Sequence, residues 1–249
     1  MLVISLMLAA LGAPPTVAAP ANDSVLPTAC EALAASVTTR ARAADLAAAL
    51  GLHGGVVRWA AGTEAVRVWI QRRPADGSSL AYGADAWRSA VVSAVASWND
   101  LVPGLRLAVS RDSASADVRI VWTPSLGSIA GDDASAGALS SRATGTSAVG
   151  SYTAGRTLLV PDELGRAIVA QVVIAASSPG GTSYSPSDVH AVAQHELGHA
   201  LGLAHHRSSR SIMSPMIAVD HIGADDRAVL RALYALPVGA SCAAPTESR

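Results

Sequence analysis

One stretch constrains this chain more than any other: His195-Glu196-Leu197-Gly198-His199-Ala200-Leu201-Gly202-Leu203-Ala204-His205. On an α-helix His195 and His199 lie one turn apart on the same face, so both imidazoles can reach a single metal ion. Gly202 tolerates a left-handed backbone, which lets the chain leave the helix and bring His205 to the same ion. Three neutral imidazoles leave a tetrahedral ion one open position. That is the pattern of a catalytic zinc site, since a structural one closes with a fourth protein ligand. Glu196 is then a neighbouring acid rather than a ligand. It is placed to take a proton from a water in the open position, whose pKa zinc lowers to about 7.

A His-Glu-x-x-His pentapeptide alone also occurs on helices that bind nothing. Here Gly202 and His205 both stand where a three-ligand site needs them. At these residues the sequence resembles the metzincin clan of zinc peptidases. Further on, Ser211-Ile212-Met213-Ser214-Pro215 looks like the clan's Met-turn, which places a methionine, here Met213, beneath the ligands as an apolar floor. Ser211 and Pro215, two residues either side of that methionine, together with Asp225-Asp226 and Ala232-Leu233-Tyr234, resemble the matrixin branch.

The resemblance implies an α+β fold: a metzincin-like domain with a twisted, mostly parallel sheet, a long helix, a zinc-binding active-site helix, the Met-turn and a C-terminal helix. It implies a secreted endopeptidase acting on protein or peptide, with one catalytic Zn2+. It also implies that Asp225 or Asp226 holds the Met-turn, and that residues 215–219 wall an apolar pocket beside the zinc. The astacin-like and serralysin-like branches place a tyrosine two residues after the Met-turn methionine. That position here is Pro215, so no phenol is expected at the metal.

The expected chemistry is hydrolysis. Zinc bound by His195, His199 and His205 polarises a water and the scissile carbonyl, while Glu196 takes the proton and returns it to the leaving amine. One rival is a secreted module on the same fold that binds zinc without turnover. A membrane-embedded metallopeptidase is the other, and it would need several long apolar spans, which are missing beyond residue 21.

With 249 residues, half of them hydrophobic, the chain can bury one substantial core. Net charge is −1 and the 18 basic residues, all arginine, are scattered, so no basic run points to nucleic acid or to an anionic membrane. A monomer is expected. Residues 1–21 join a short apolar run to small residues ending at Ala21 and read as a signal peptide, although no Lys or Arg precedes the run. Residues 22–55 are alanine-rich and helix-prone, either a short propeptide or an N-terminal helix. The catalytic domain is expected over 56–240, with a tail over 241–249. The two cysteines, Cys30 and Cys242, lie near the two ends and in an exported protein read as one disulfide. The neighbours of Cys30, Thr28-Ala29 and Glu31, do not match the setting of the zinc-blocking propeptide cysteine of matrixins.

Between these ends the pattern predicts strands at Val57–Trp59, Ala65–Ile70, Leu105–Ser110, Ala116–Trp122 and Thr157–Val160. A long helix is predicted over 84–101, with Trp87, Val91, Ala94, Val95 and Trp98 on its apolar face. The apolar run 166–178 reads equally as helix or buried strand. Ser187 or Asp188 is expected to cap the zinc helix, and a helix is expected over 224–236 with Asp225 and Asp226 in its first turn. Gly137-Ala138-Leu139-Ser140 reads either as the open edge strand that receives a substrate backbone or as a surface loop.

No histidine stands between His53 and His190, which removes a histidine-built second zinc site from that segment. Asp132, Asp133, Asp162 and Glu163 offer hard oxygen ligands for Ca2+, but at no calcium-loop spacing, and read better as solvated loops. His53 and His221 are expected to face solvent and His190 to point away from the triad. His206 is read as exposed, with support of a ligand as the alternative.

Overall fold

A computed structural model describes residues 56–60, 62, 65–72, 83–126, 136–139, 152–206 and 208–240. It contains strands β1 (Val66–Ile70), β2 (Leu107–Ser110), β3 (Val118–Thr123), β4 (Ala136–Leu139), β5 (Tyr152–Pro161), β6 (Ala167–Ala175) and β7 (Met216–Ile217). The helices among the described residues are α1 (Ala84–Ser97), α2 (Pro186–Ala200) and α3 (Ala224–Ala235).

The strands form one sheet in the order β2-β1-β3-β6-β5-β4-β7. Strands β2, β1, β3 and β6 run parallel, β5 is antiparallel to both β6 and β4, and β7 runs parallel to β4. Along β1 the residues alternate, with Val66, Val68 and Ile70 buried and Arg67 exposed, so one face of the sheet carries the core. Helix α1 packs on β1 and β2, α2 packs on β5 and β6, and the two helices pack on each other. Trp87 and Trp98 of the predicted aromatic stripe are fully buried in this core. The predicted α+β architecture is the one observed.

Element limits differ from expectation where local turns intervene. The long helix stops at Ser97, and the side chain of Asn99 then holds Leu107: its Oδ1 accepts from Leu107 N at 2.8 Å and its Nδ2 donates to Leu107 O at 3.2 Å. Strand β2 therefore starts two residues later than the apolar pattern suggested. Residues 57–59 are not a strand but a single bridge from Arg58 to Arg166. The ambiguous run after Pro161 is strand β6, because its β-branched residues are flanked on both sides, by β3 and by β5. Strand β5 begins at Tyr152, not Thr157.

Two site-related expectations are corrected here. Strand β4 is not an open edge: Ala138 pairs with Thr153 of β5 on one side and with Met216 of β7 on the other. Ala138 and Leu139 are thus flanked on both sides, so in this arrangement no extended peptide can add along those two residues. The zinc helix is capped by Ser185, not by Ser187 or Asp188. Ser185 Oγ accepts from Asp188 N at 3.2 Å and Asp188 Oδ2 accepts from Ser185 N at 2.9 Å. Pro186 takes the first helical position, where its missing N–H costs nothing.

Asp162 holds the β5–β6 turn, accepting from Leu164 N at 2.9 Å and Arg166 N at 2.8 Å and pairing with Arg166 Nε at 2.7 Å. Those contacts, with the Arg166 guanidinium among them, hold its carboxyl below the usual range against a partial loss of solvation. Its oxygens serve this turn. Asp132, Asp133, Cys30, Cys242 and His53 lie outside the described residues.

Candidate metal centre

Helix α2 delivers the first two histidines from a fully packed setting: every residue from Ala191 to Ala200 is buried. Its end is built by Gly202, which adopts φ +98° with no Cβ to clash. Gly202 N donates to His199 O at 2.9 Å and Leu203 N donates to Gly198 O at 3.0 Å, the paired bonds of a Schellman motif. Two later carbonyls are also satisfied, Ala200 O by Trp59 Nε1 at 2.9 Å and Leu201 O by Tyr234 Oη at 3.2 Å. The helix end is thus rigid, and the chain turns back so that His205 meets His195 and His199.

The ligand atoms of the three histidines all lie within 4.8 Å of one another. Among the described residues this is the only group of three or more His, Cys, Asp or Glu side chains gathered closely enough to hold a metal ion. Ring centroids are 4.6 Å apart for His195 and His199, 4.8 Å for His199 and His205, and 5.3 Å for His195 and His205.

The hydrogen-bond network fixes which nitrogens face inward. His195 Nδ1 lies 2.7 Å from Ile212 O and His199 Nδ1 lies 2.8 Å from Leu203 O. A carbonyl only accepts, so both Nδ1 atoms carry the proton and both Nε2 atoms present lone pairs. Those two Nε2 atoms are 3.0 Å apart, and His205 Nε2 is buried without any hydrogen-bond partner. Burial, joined by mutual repulsion of the rings, holds His195 well below the usual histidine range and His199 at about 3; burial alone brings His205 to about 4. Protons therefore do not fill the gap at neutral pH. Lone pairs converging in a dry pocket repel one another unless a cation sits between them, and imidazole nitrogens suit zinc. The residues present fit the ion.

Glu196 is fully buried and lies against β5, where Thr157 Oγ1 is 2.7 Å from Glu196 Oε2. Met213 is buried against the same helix, and a Cβ on Gly198 would collide with its sulfur. The loop carrying Met213 is secured at Ser211 and Ile212, just before the methionine. Ile212 O receives His195, while Ile212 N donates to Asp226 Oδ2 at 3.2 Å, and Asp226 Oδ1 accepts from Ser211 Oγ. Of the two aspartates offered by the sequence, Asp226 is the one that holds this loop.

The other described histidines are not part of this cluster. His206 is half-buried rather than exposed, because its N donates to Met213 O at 2.7 Å and its Nδ1 accepts from Ser208 N at 3.0 Å. His221 is exposed as expected, with Asp220 Oδ1 at 3.3 Å. His190 is half-buried and held below the ordinary histidine range by loss of solvation, opposed by Asp220. Thr157 and Gly155 were not singled out by sequence reading. A threonine and a glycine in a strand carry no signal of what the next layer brings against them.

Fold and site together define a class: an α+β domain whose central helix, turn and following loop gather three neutral imidazoles beside a buried carboxylate, as in zinc metalloproteases. No curated protein matches the chain. A family model described as Matrixin matches residues 76–235, well over half of the 249. The chain belongs to the matrixin family, which is zinc-dependent, and the metzincin-type resemblance read from the motif holds.

Proposed function

We propose that this chain is an exported zinc-dependent endopeptidase that hydrolyses peptide bonds in proteins or peptides as a monomer. The convergence of His195, His199 and His205 beside Glu196 carries the reading. Zinc held by the three Nε2 atoms would supply Lewis acidity, lowering the pKa of a water to about 7 and polarising the scissile carbonyl. The Nδ1–H bonds to the carbonyls of Ile212 and Leu203 orient the two helical imidazoles and keep their lone pairs inward. Glu196 receives the proton of the attacking water on its carboxylate and delivers it to the nitrogen of the leaving amine. Met213, buried against Gly198 of α2, supplies the apolar floor that the metzincin resemblance implies. Beyond the loop, buried Ile217 and half-buried Val219 favour an apolar side chain after the scissile bond.

Export is supported by the apolar leader of residues 1–21, and a Cys30–Cys242 disulfide suits an oxidising destination. Mass spectrometry of protein recovered from culture medium tests both, through the mature N-terminus and the two missing thiol hydrogens. For catalysis the test is Glu196→Gln, which keeps the shape of the side chain and removes the base. Zinc content is expected to stay at one ion per chain while casein cleavage falls by roughly a hundredfold or more. A Glu196→Gln protein cleaving at the wild-type rate refutes the role given to Glu196.

A further inference from the structure

Strand β5 passes beneath Glu196 with two buried residues on one face, Gly155 and Thr157. A Cβ added at Gly155 would fall 2.5 Å from Glu196 Oε1 and 2.6 Å from its Cγ, so the side chain lies directly on bare backbone. Two residues along, Thr157 Oγ1 is 2.7 Å from Glu196 Oε2 and 3.0 Å from the carbonyl oxygen of the same residue. A hydroxyl carries one proton and serves one acceptor at a time. The carboxylate contact is the shorter and is charge-assisted, so it takes the proton.

We propose that Thr157 is a positioning residue for the general base, tying Oε2 of Glu196 to the sheet and so fixing where the carboxylate stands when it takes the proton of the attacking water. This rests on the peptidase reading for its consequence in turnover, though not for its geometry. A glutamate has three side-chain torsions, and each hydrogen bond to its carboxylate narrows the rotamers open to it. Gly155 makes the room and Thr157 supplies the tether. The pair confines the carboxylate to one place before substrate arrives, which is the preorganisation a proton transfer requires.

Thr157→Val keeps the shape and strand preference of the residue and removes only the donor. It is expected to lower kcat roughly tenfold, the loss of one hydrogen bond to a charged group, with KM and zinc content unchanged. Thr157→Ser restores the hydroxyl and is expected to recover kcat to within about threefold of wild type. Crystal structures of wild type and Thr157→Val, each with and without zinc, give a readout independent of turnover. The carboxylate should stay on Gly155 in wild type and leave it in the valine variant. Wild-type kcat in Thr157→Val, a serine variant as impaired as the valine one, or an unmoved carboxylate would each overturn the proposal. If wild type cleaves no peptide at all, the functional reading fails, while the carboxylate position still decides this one.

Discussion

Removing the carboxylate of Asp226 should reach the metal site through a single residue, Ile212. Asp226 is 1% exposed and receives three donors: the Ser211 hydroxyl, Ile212 N at 3.2 Å and Gly223 N at 2.7 Å. In Asp226→Ala these buried donors lose their acceptor at about 1–3 kcal/mol each, about 4 kcal/mol once partial relaxation is allowed. Against a total stability of about 5–15 kcal/mol that is a large fraction. With a urea dependence of about 2 kcal/mol per molar, the midpoint falls by about 2 M. Asp226→Asn is milder. Its amide oxygen still accepts from both N–H groups and its NH₂ donates to Ser211 Oγ, but the serine proton must find another acceptor, which costs about 1–2 kcal/mol. Because the carbonyl of the same residue, Ile212, accepts from His195, zinc affinity in Asp226→Asn is expected to drop roughly tenfold. Urea unfolding of the zinc-free proteins and competition with a chromogenic chelator measure the two effects. An alanine variant within about 0.5 kcal/mol of wild type would refute the hydrogen-bond accounting. Unchanged zinc affinity in the asparagine variant would refute the coupling.

Two further outcomes follow from the same geometry. Gly202 has φ +98° and a Cβ there would strike the carbonyl of Val57, so Gly202→Ala should lose about 2–3 kcal/mol and bind zinc more weakly, since this turn delivers His205; thermal melts and zinc titration check both. Chelation should remove the stabilisation that binding gives, about 4 kcal/mol when free zinc is a thousandfold above its dissociation constant, and so lower Tm by roughly ten degrees; an unchanged melt would mean the three imidazoles hold no ion.

How much could be read beforehand depended on how local each feature is. The metal cluster was legible because its logic is contained in eleven residues: helical spacing puts His195 and His199 on one face, and Gly202 ends the helix. The aromatic stripe of α1 was legible for the same reason. The cap was misplaced by two residues because Ser185, Ser187 and Asp188 are all capable caps, and only Pro186 at the first helical position separates them. The open edge was misread because the second neighbour of β4, strand β7 at 216–217, arrives from far along the chain, beyond the zinc helix. Strand pattern reports which residues pair well and says nothing about how many partners arrive.

By itself the sequence determined the histidines that could share an ion, since helix periodicity and glycine conformation operate within a few residues, and its resemblance to the metzincin clan implied the α+β class. The tertiary structure alone decided which of two adjacent aspartates fastens the Met213 loop, which carbonyls set the ring tautomers, and which strand residues touch Glu196. Apart from His199 with Leu203, those hydrogen bonds join positions 14 to 39 residues apart, and bonds between such positions depend on how the layers pack.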